Sequence, residues 1–143
     1  MPRFEGTRGG TLPDGRAVYY PILLVRVEHA GSFVDVQAVV DSGADFTMVP
    51  AEIAEVVGLP FEGLAEGGKG LSAGGAMEHR PAPGRILFDK KIVADGFLVA
   101  EPGKLPVVLL GRDDFFRLYT VRFAWHRDPP TFDLDPVTEP RAR

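Results

Sequence analysis

The strongest constraint on this chain is that its apolar residues come in short runs separated by turns. Residues 17–28 are dense in Val, Ile, Leu and Tyr, which is strand composition, and Pro21 places the early part of that strand at an edge. After the break His29-Ala30-Gly31-Ser32, residues 33–40 alternate Asp35 and Gln37 with Val34, Val36 and Ala38, so the two runs predict a hairpin. Strand character resumes over 46–49. Pro50 then opens a short helix over 51–57 that Gly58 stops. Further strands are expected over 85–88 and 92–99 around Asp89-Lys90-Lys91, over 107–110, and over 121–125 and 131–134 around Asp128-Pro129-Pro130, with a short helix over 113–118. No repeat of 20–50 residues interrupts this order. Many short strands with one or two short helices predict an all-β fold, a small closed β-barrel.

Composition narrows the rest. A chain of 143 residues with 45% hydrophobic and 25% charged residues has the make-up of one globular domain. We place that domain at residues 17–135, between a flexible N-terminal arm (1–16) and a polar C-terminal tail (136–143). The net charge of −4 and scattered basic residues give phosphate nothing to bind, so no nucleic-acid partner is expected. With no cysteine, disulfides, thiolate nucleophiles and thiolate metal sites are excluded. The start lacks the apolar core of a secretory signal, and the run at 22–25 is far too short to span a bilayer, so a cytoplasmic location without membrane association is expected. His29, His79 and His126 lie far apart, none at ligand spacing, and neither metal nor cofactor is expected.

The chemistry concentrates at Asp41-Ser42-Gly43-Ala44, a polar break directly after an apolar strand. An Asp at such an exit stands at the rim of the core. Gly43 permits close backbone approach, and the Ser42 hydroxyl can pin the loop. Read alone, Asp-Ser-Gly is also ordinary turn chemistry. Gly67-Gly68-Lys69-Gly70 lacks the full pattern of a phosphate-binding loop and a buried strand before it, and Ser42 and Ser72 have no recognisable His/Asp partners.

The wider context separates these readings. Val39-Val40-Asp41-Ser42-Gly43-Ala44-Asp45-Phe46-Thr47-Met48-Val49 resembles the active-site signature of the retropepsin-like aspartic proteases: two apolar residues, Asp-Thr/Ser-Gly-Ala, then an acidic residue, a hydroxyl residue and an apolar pair. About 70 residues on, Val108-Leu109-Leu110-Gly111-Arg112-Asp113 resembles the apolar-apolar-Gly-Arg-Asp/Asn segment that opens the family's C-terminal helix. The resemblance covers residues 18–135. It implies a small barrel with a psi-shaped crossing in which Leu109, Leu110 and Gly111 pass the active loop. It also implies an aspartic endopeptidase acting on peptide or protein substrate.

Such hydrolysis needs one carboxylate as base and one carboxyl as acid, and two carboxyls about 3 Å apart share a proton because both cannot cheaply ionise. This chain has one Asp-Ser/Thr-Gly; Asp14-Gly15 and Asp95-Gly96 lack the hydroxyl residue. The resemblance therefore implies a homodimer in which Asp41 of each copy is catalytic. By the same likeness Ser42 holds the two loops in register, Gly43 offers its backbone to substrate, and Ala44 leaves room for it. Asp45 and Arg112 form a buried ion pair tying the loop to the C-terminal helix. The most glycine-rich stretch, 63–75, reads as a loop that cannot build a core, and within it Gly70, Leu71, Ser72, Ala73, Gly74 and Gly75 are by the resemblance the candidates for a flap that excludes water. Phe115, Phe116, Tyr119, Phe123 and Trp125 read as core or dimer-interface aromatics. The alternatives are a catalytically idle module for dimerisation or peptide binding and, with least support, a β-barrel binder of small molecules.

Overall fold

A computed structural model of the chain describes residues 2–72 and 75–138. The strands are β1 (Arg3–Glu5), β2 (Thr7–Thr11), β3 (Ala17–Tyr20), β4 (Ile22–His29), β5 (Ser32–Val40), β6 (Met48–Pro50), β7 (Gly68–Ser72), β8 (Gly75–Phe88), β9 (Lys91–Ala100), β10 (Val108–Leu110), β11 (Tyr119–Ala124) and β12 (Thr131–Pro136). Two short helices, α1 (Ala51–Val56) and α2 (Phe115–Leu118), complete the expected all-β fold.

The main sheet runs β4-β5-β10-β6-β9-β8-β7, and β4 also pairs with β8, so six strands close into a ring with β7 attached to β8. The interior is filled by Val27, Val49, Ile86, Val99, Leu110, Phe115 and Phe132, all fully buried. Each such side chain stabilises the fold by about 1.5–3 kcal/mol when buried. Two of the hairpin turns expected on sequence form with two central residues at positive φ, Ala30-Gly31 between β4 and β5 and Asp89-Lys90 between β8 and β9. These backbone angles match the right-handed twist of the strands they join. Helix α1 ends as expected at Gly58, whose φ of +83° lets the Leu59 N–H reach the Ala54 carbonyl and the Gly58 N–H reach that of Glu55.

Three expectations are corrected. Residues 1–16 are not a loose arm: β1 pairs antiparallel with β12, and β2 pairs with β3. The guanidinium of Arg3 grips Asp133 through two hydrogen bonds of 2.8 and 3.3 Å, holding the Asp133 carboxyl below its usual range. The strand expected over 85–88 begins at Gly75, because pairing with β7, β9 and β4 supplies what its Gly, Pro and charged residues do not. The register with β9 slips between Ala82 and Arg85, the stretch holding Pro83 and Gly84. Much of the glycine-rich 63–75 segment, expected as a loop, is likewise strand β7, in register with β8 from Gly68↔His79 to Ser72↔Gly75.

Candidate active site

The site is positioned by a pairing between two apolar strands. β5 and β10 run parallel, with Val39 opposite Leu109 and Val40 opposite Leu110. Both chains therefore leave the sheet side by side, one as Asp41 and the other as Gly111. The Asp41 N–H donates to the Leu110 carbonyl at 3.0 Å. The loop after Asp41 then passes Gly111 and returns as β6, antiparallel to β10. This is the crossing implied by the two sequence motifs.

Gly111 is where the segments touch. A Cβ there would lie 2.3 Å from the Phe46 carbonyl carbon and 2.5 Å from its oxygen, both backbone atoms. Only a residue without a side chain fits. Four hydrogen bonds weld the crossing. The Arg112 N–H donates to the Ala44 carbonyl (2.9 Å), and the Asp113 N–H to the Asp45 carbonyl (2.9 Å). The Gly111 N–H donates to Thr47 Oγ1 (3.1 Å), and the Thr47 N–H to Asp114 Oδ2 (2.9 Å). Thr47 and Asp114 are buried, so the last two bonds satisfy groups that water cannot reach.

Asp41 is thereby held at the rim of the ring, half-buried, with Ser42 and Gly43 exposed beside it. Its Oδ1 accepts the Gly43 N–H at 2.9 Å, and its carbonyl accepts the Ala44 N–H at 3.2 Å. The carboxyl is oriented by its own loop and remains partly open to solvent. A cleft of about 350 Å³ opens at this point, lined by Tyr19, Pro21, Asp41, Ser42, Phe123 and Trp125.

The Asp45–Arg112 pair forms, Arg112 Nη2 donating to Asp45 Oδ1, but not as the buried tie expected from sequence. Their side chains are 74% and 56% exposed. Asp45 and Arg112 sit on the outside of the crossing, where solvent weakens their attraction. The buried tie between loop and α2 is made by Thr47 and Asp114, which sequence reasoning passed over. The signal was present: a hydroxyl residue follows the loop and a second Asp follows Asp113, both beside apolar neighbours.

Of the flap candidates, Gly70, Leu71 and Ser72 lie on β7 and Gly75 opens β8. Ala73 and Gly74 lie outside the described residues. The base of this hairpin is anchored by Arg80, whose Nε donates to Glu78 Oε2 at 3.0 Å and whose Nη1 donates to the carbonyls of Phe61 (3.0 Å) and Leu64 (3.4 Å). The Arg80 guanidinium also stacks over the Phe61 ring at 4.2 Å. Glu78 and Glu101 add a reciprocal pair of bonds, Glu78 N–H to Glu101 Oε1 (3.0 Å) and Glu101 N–H to the Glu78 carbonyl (2.9 Å). Among the described residues no group of three His, Asp or Glu comes together as a metal site, and no helix is long and apolar enough to cross a membrane.

Residues 25–113 match the model of a family described as aspartyl protease. Among solved structures, the chain is similar to a retropepsin-like aspartic protease from Rickettsia conorii, with 18% identity and a TM-score of 0.60 over 92% of this chain and 98% of that one. It is also similar to the retroviral protease-like domain of Ddi1 from Leishmania major, with 22% identity and a TM-score of 0.50 over 69% of this chain and 79% of that one. At these identities the likeness is one of fold. No curated protein sequence matches the chain.

Proposed function

The chain belongs to the aspartyl protease family, and from that premise we propose that it is an aspartic endopeptidase that works as a homodimer. One observation carries the reading: a single Asp41 carboxyl, oriented by the Gly43 N–H and fixed in place by the Gly111 crossing, stands half-buried at the rim of the ring, lining a cleft. One carboxyl cannot be acid and base at once, so the second comes from Asp41 of another copy across a two-fold axis. The ionised member of the pair takes a proton from water as that water attacks the scissile carbonyl carbon. The protonated member donates its proton to the carbonyl oxygen; as the tetrahedral adduct collapses, the proton taken from water passes to the leaving nitrogen and a hydroxyl of the adduct returns a proton to the other carboxyl, giving acid and amine. Ser42 keeps the two loops in register. Gly43 and Ala44 let the peptide backbone lie close. The β7–β8 hairpin is the flap that excludes water, steadied at its base by Arg80.

The test is cleavage of a mixed peptide pool by the wild type and by Asp41→Asn, each checked for folding by circular dichroism. The expected result is activity confined to the wild type and blocked by a statine-type transition-state mimic. Equal cleavage by both proteins refutes the assignment of Asp41. No cleavage by a dimeric wild type favours an idle peptide-binding module.

A further inference from the structure

We infer that the aromatic shelf formed by Tyr19, Phe123 and Trp125 beside Asp41 is the surface on which a second copy of this chain docks. The inference rests on the dyad proposed above and identifies the surface that assembles it. Tyr19, Phe123 and Trp125 all fall outside the 25–113 span matched by the family model.

The shelf is a built surface with apolar area left uncovered. Tyr119, Val121 and Phe123 share one face of β11, and along this row exposure rises from 8% at Tyr119 to 44% at Phe123, beside Asp41. Trp125, 40% exposed, continues the row and packs edge-on against Phe123 with ring centres 5.9 Å apart. Phe123 leans in turn on the buried Phe132 at 6.4 Å. Behind them, a Cβ on Gly6 would lie 3.4 Å from the Trp125 ring and 3.3 Å from Tyr19 Cβ, and the Gly6 N–H is tied to the Pro130 carbonyl at 2.7 Å. The rings are thus fixed before any partner arrives, which lowers the entropy cost of binding. Adjoining exposed aromatics are the usual anchors of protein interfaces.

Symmetry selects the occupant. Two carboxyls that share a proton lie about 3 Å apart, so the axis relating them passes within about 2 Å of the Asp41 carboxyl. A surface that shares one cleft with Asp41 and Ser42 lies against that axis, where it meets the same surface of the other copy. β11 is also the outer strand of the β1-β12-β11 sheet, so its free edge faces outward at the same place.

Trp125 is the only tryptophan in the chain, so its fluorescence reports this surface directly. On dilution of the full-length protein from high micromolar to low nanomolar concentration, its emission is expected to shift to the red. The midpoint should equal the dimer dissociation constant measured by sedimentation. Phe123→Ala and Tyr19→Ala, each verified as folded by circular dichroism, are expected to raise that constant about 30-fold, the loss typical of an interface anchor. A dimer whose Trp125 emission ignores dilution, or whose dissociation ignores both folded variants, overturns the inference and leaves the protease reading intact. Emission that shifts with a statine-type inhibitor and not with protein concentration assigns the shelf to substrate and also overturns it. A shelf-dependent dimer without peptidase activity sustains the inference and sinks the protease reading, and a monomer at every concentration sinks both.

Discussion

Replacing Gly111 by Ala tests whether the crossing, rather than the Asp41 loop alone, holds the site. The added methyl would sit 2.3 Å from the Phe46 carbonyl carbon, 2.5 Å from its oxygen and 2.8 Å from its Cα. Non-bonded heavy atoms settle at about 3.5–4.0 Å, so the two segments must separate by about 1 Å. Both obstacles are backbone, and no rotamer change relieves them. That separation strains the Gly111–Thr47, Arg112–Ala44 and Asp113–Asp45 hydrogen bonds together. Overpacking costs about 1–3 kcal/mol and each of the three weakened bonds roughly 1 kcal/mol, giving a loss of about 4–6 kcal/mol. For a chain of this size such a loss lowers the melting temperature by about 10 °C or more. The assay is thermal unfolding followed by circular dichroism at one fixed protein concentration, since any association would itself shift the midpoint. Gly63→Ala serves as the control, because its methyl meets only Pro60 Cγ at an ordinary 3.6 Å. If Gly111→Ala melts with the wild type and the control, the crossing does not bear on stability as argued.

Other expectations follow from the same geometry. Thr47→Val keeps the shape but leaves the Gly111 N–H without its buried acceptor, and should cost about 1–3 kcal/mol in chemical denaturation. Asp45→Ala and Arg112→Ala remove only an exposed pair and should each change stability by less than about 1 kcal/mol, against the larger loss a buried tie would give. Asp133 and Asp35 are held below the usual carboxylate range by hydrogen bonds from Arg3 and Arg26, so they favour the folded state at neutral pH, and that contribution is lost as pH falls below about 4. Asp133→Asn should accordingly flatten the fall in melting temperature between neutral and acid pH. Arg80→Ala should release residues 61–64 from the hairpin base, seen as faster limited proteolysis in that segment with the ring itself still protected.

The candidate site was legible because its information is local. A carboxyl, a hydroxyl and a glycine follow one apolar strand, and a second apolar strand ends in glycine. The β5–β10 pairing and the Gly111 contact are what those patterns require. What the sequence hid depends on distant partners. Arg3-Phe4-Glu5 has little intrinsic strand character and becomes a strand only by pairing with Thr131–Asp133. Residues 75–84 carry two prolines and several charged groups, yet lie in β8 because three neighbouring strands bond to it. Whether Asp45 and Arg112 are buried could not be read from two charged letters. It depends on which side of the crossing they leave, and the inner side was taken by Thr47 and Asp114.

The parallel pairing of β5 with β10 also dictates an order of assembly. The β4–β5 hairpin turns on two residues and can form as soon as it is synthesised. Asp41 at its end has no such freedom: the groups that fix its loop, Gly111 and Asp114, bond to Thr47 from 64 and 67 positions away. The terminal sheet waits longer still, since Arg3 and Asp133 are 130 positions apart. Contacts this distant are slow to close. A nascent chain released before residue 111 would therefore carry the Asp41 sequence without the segment that immobilises it, and the loop would have no fixed geometry until that segment is made.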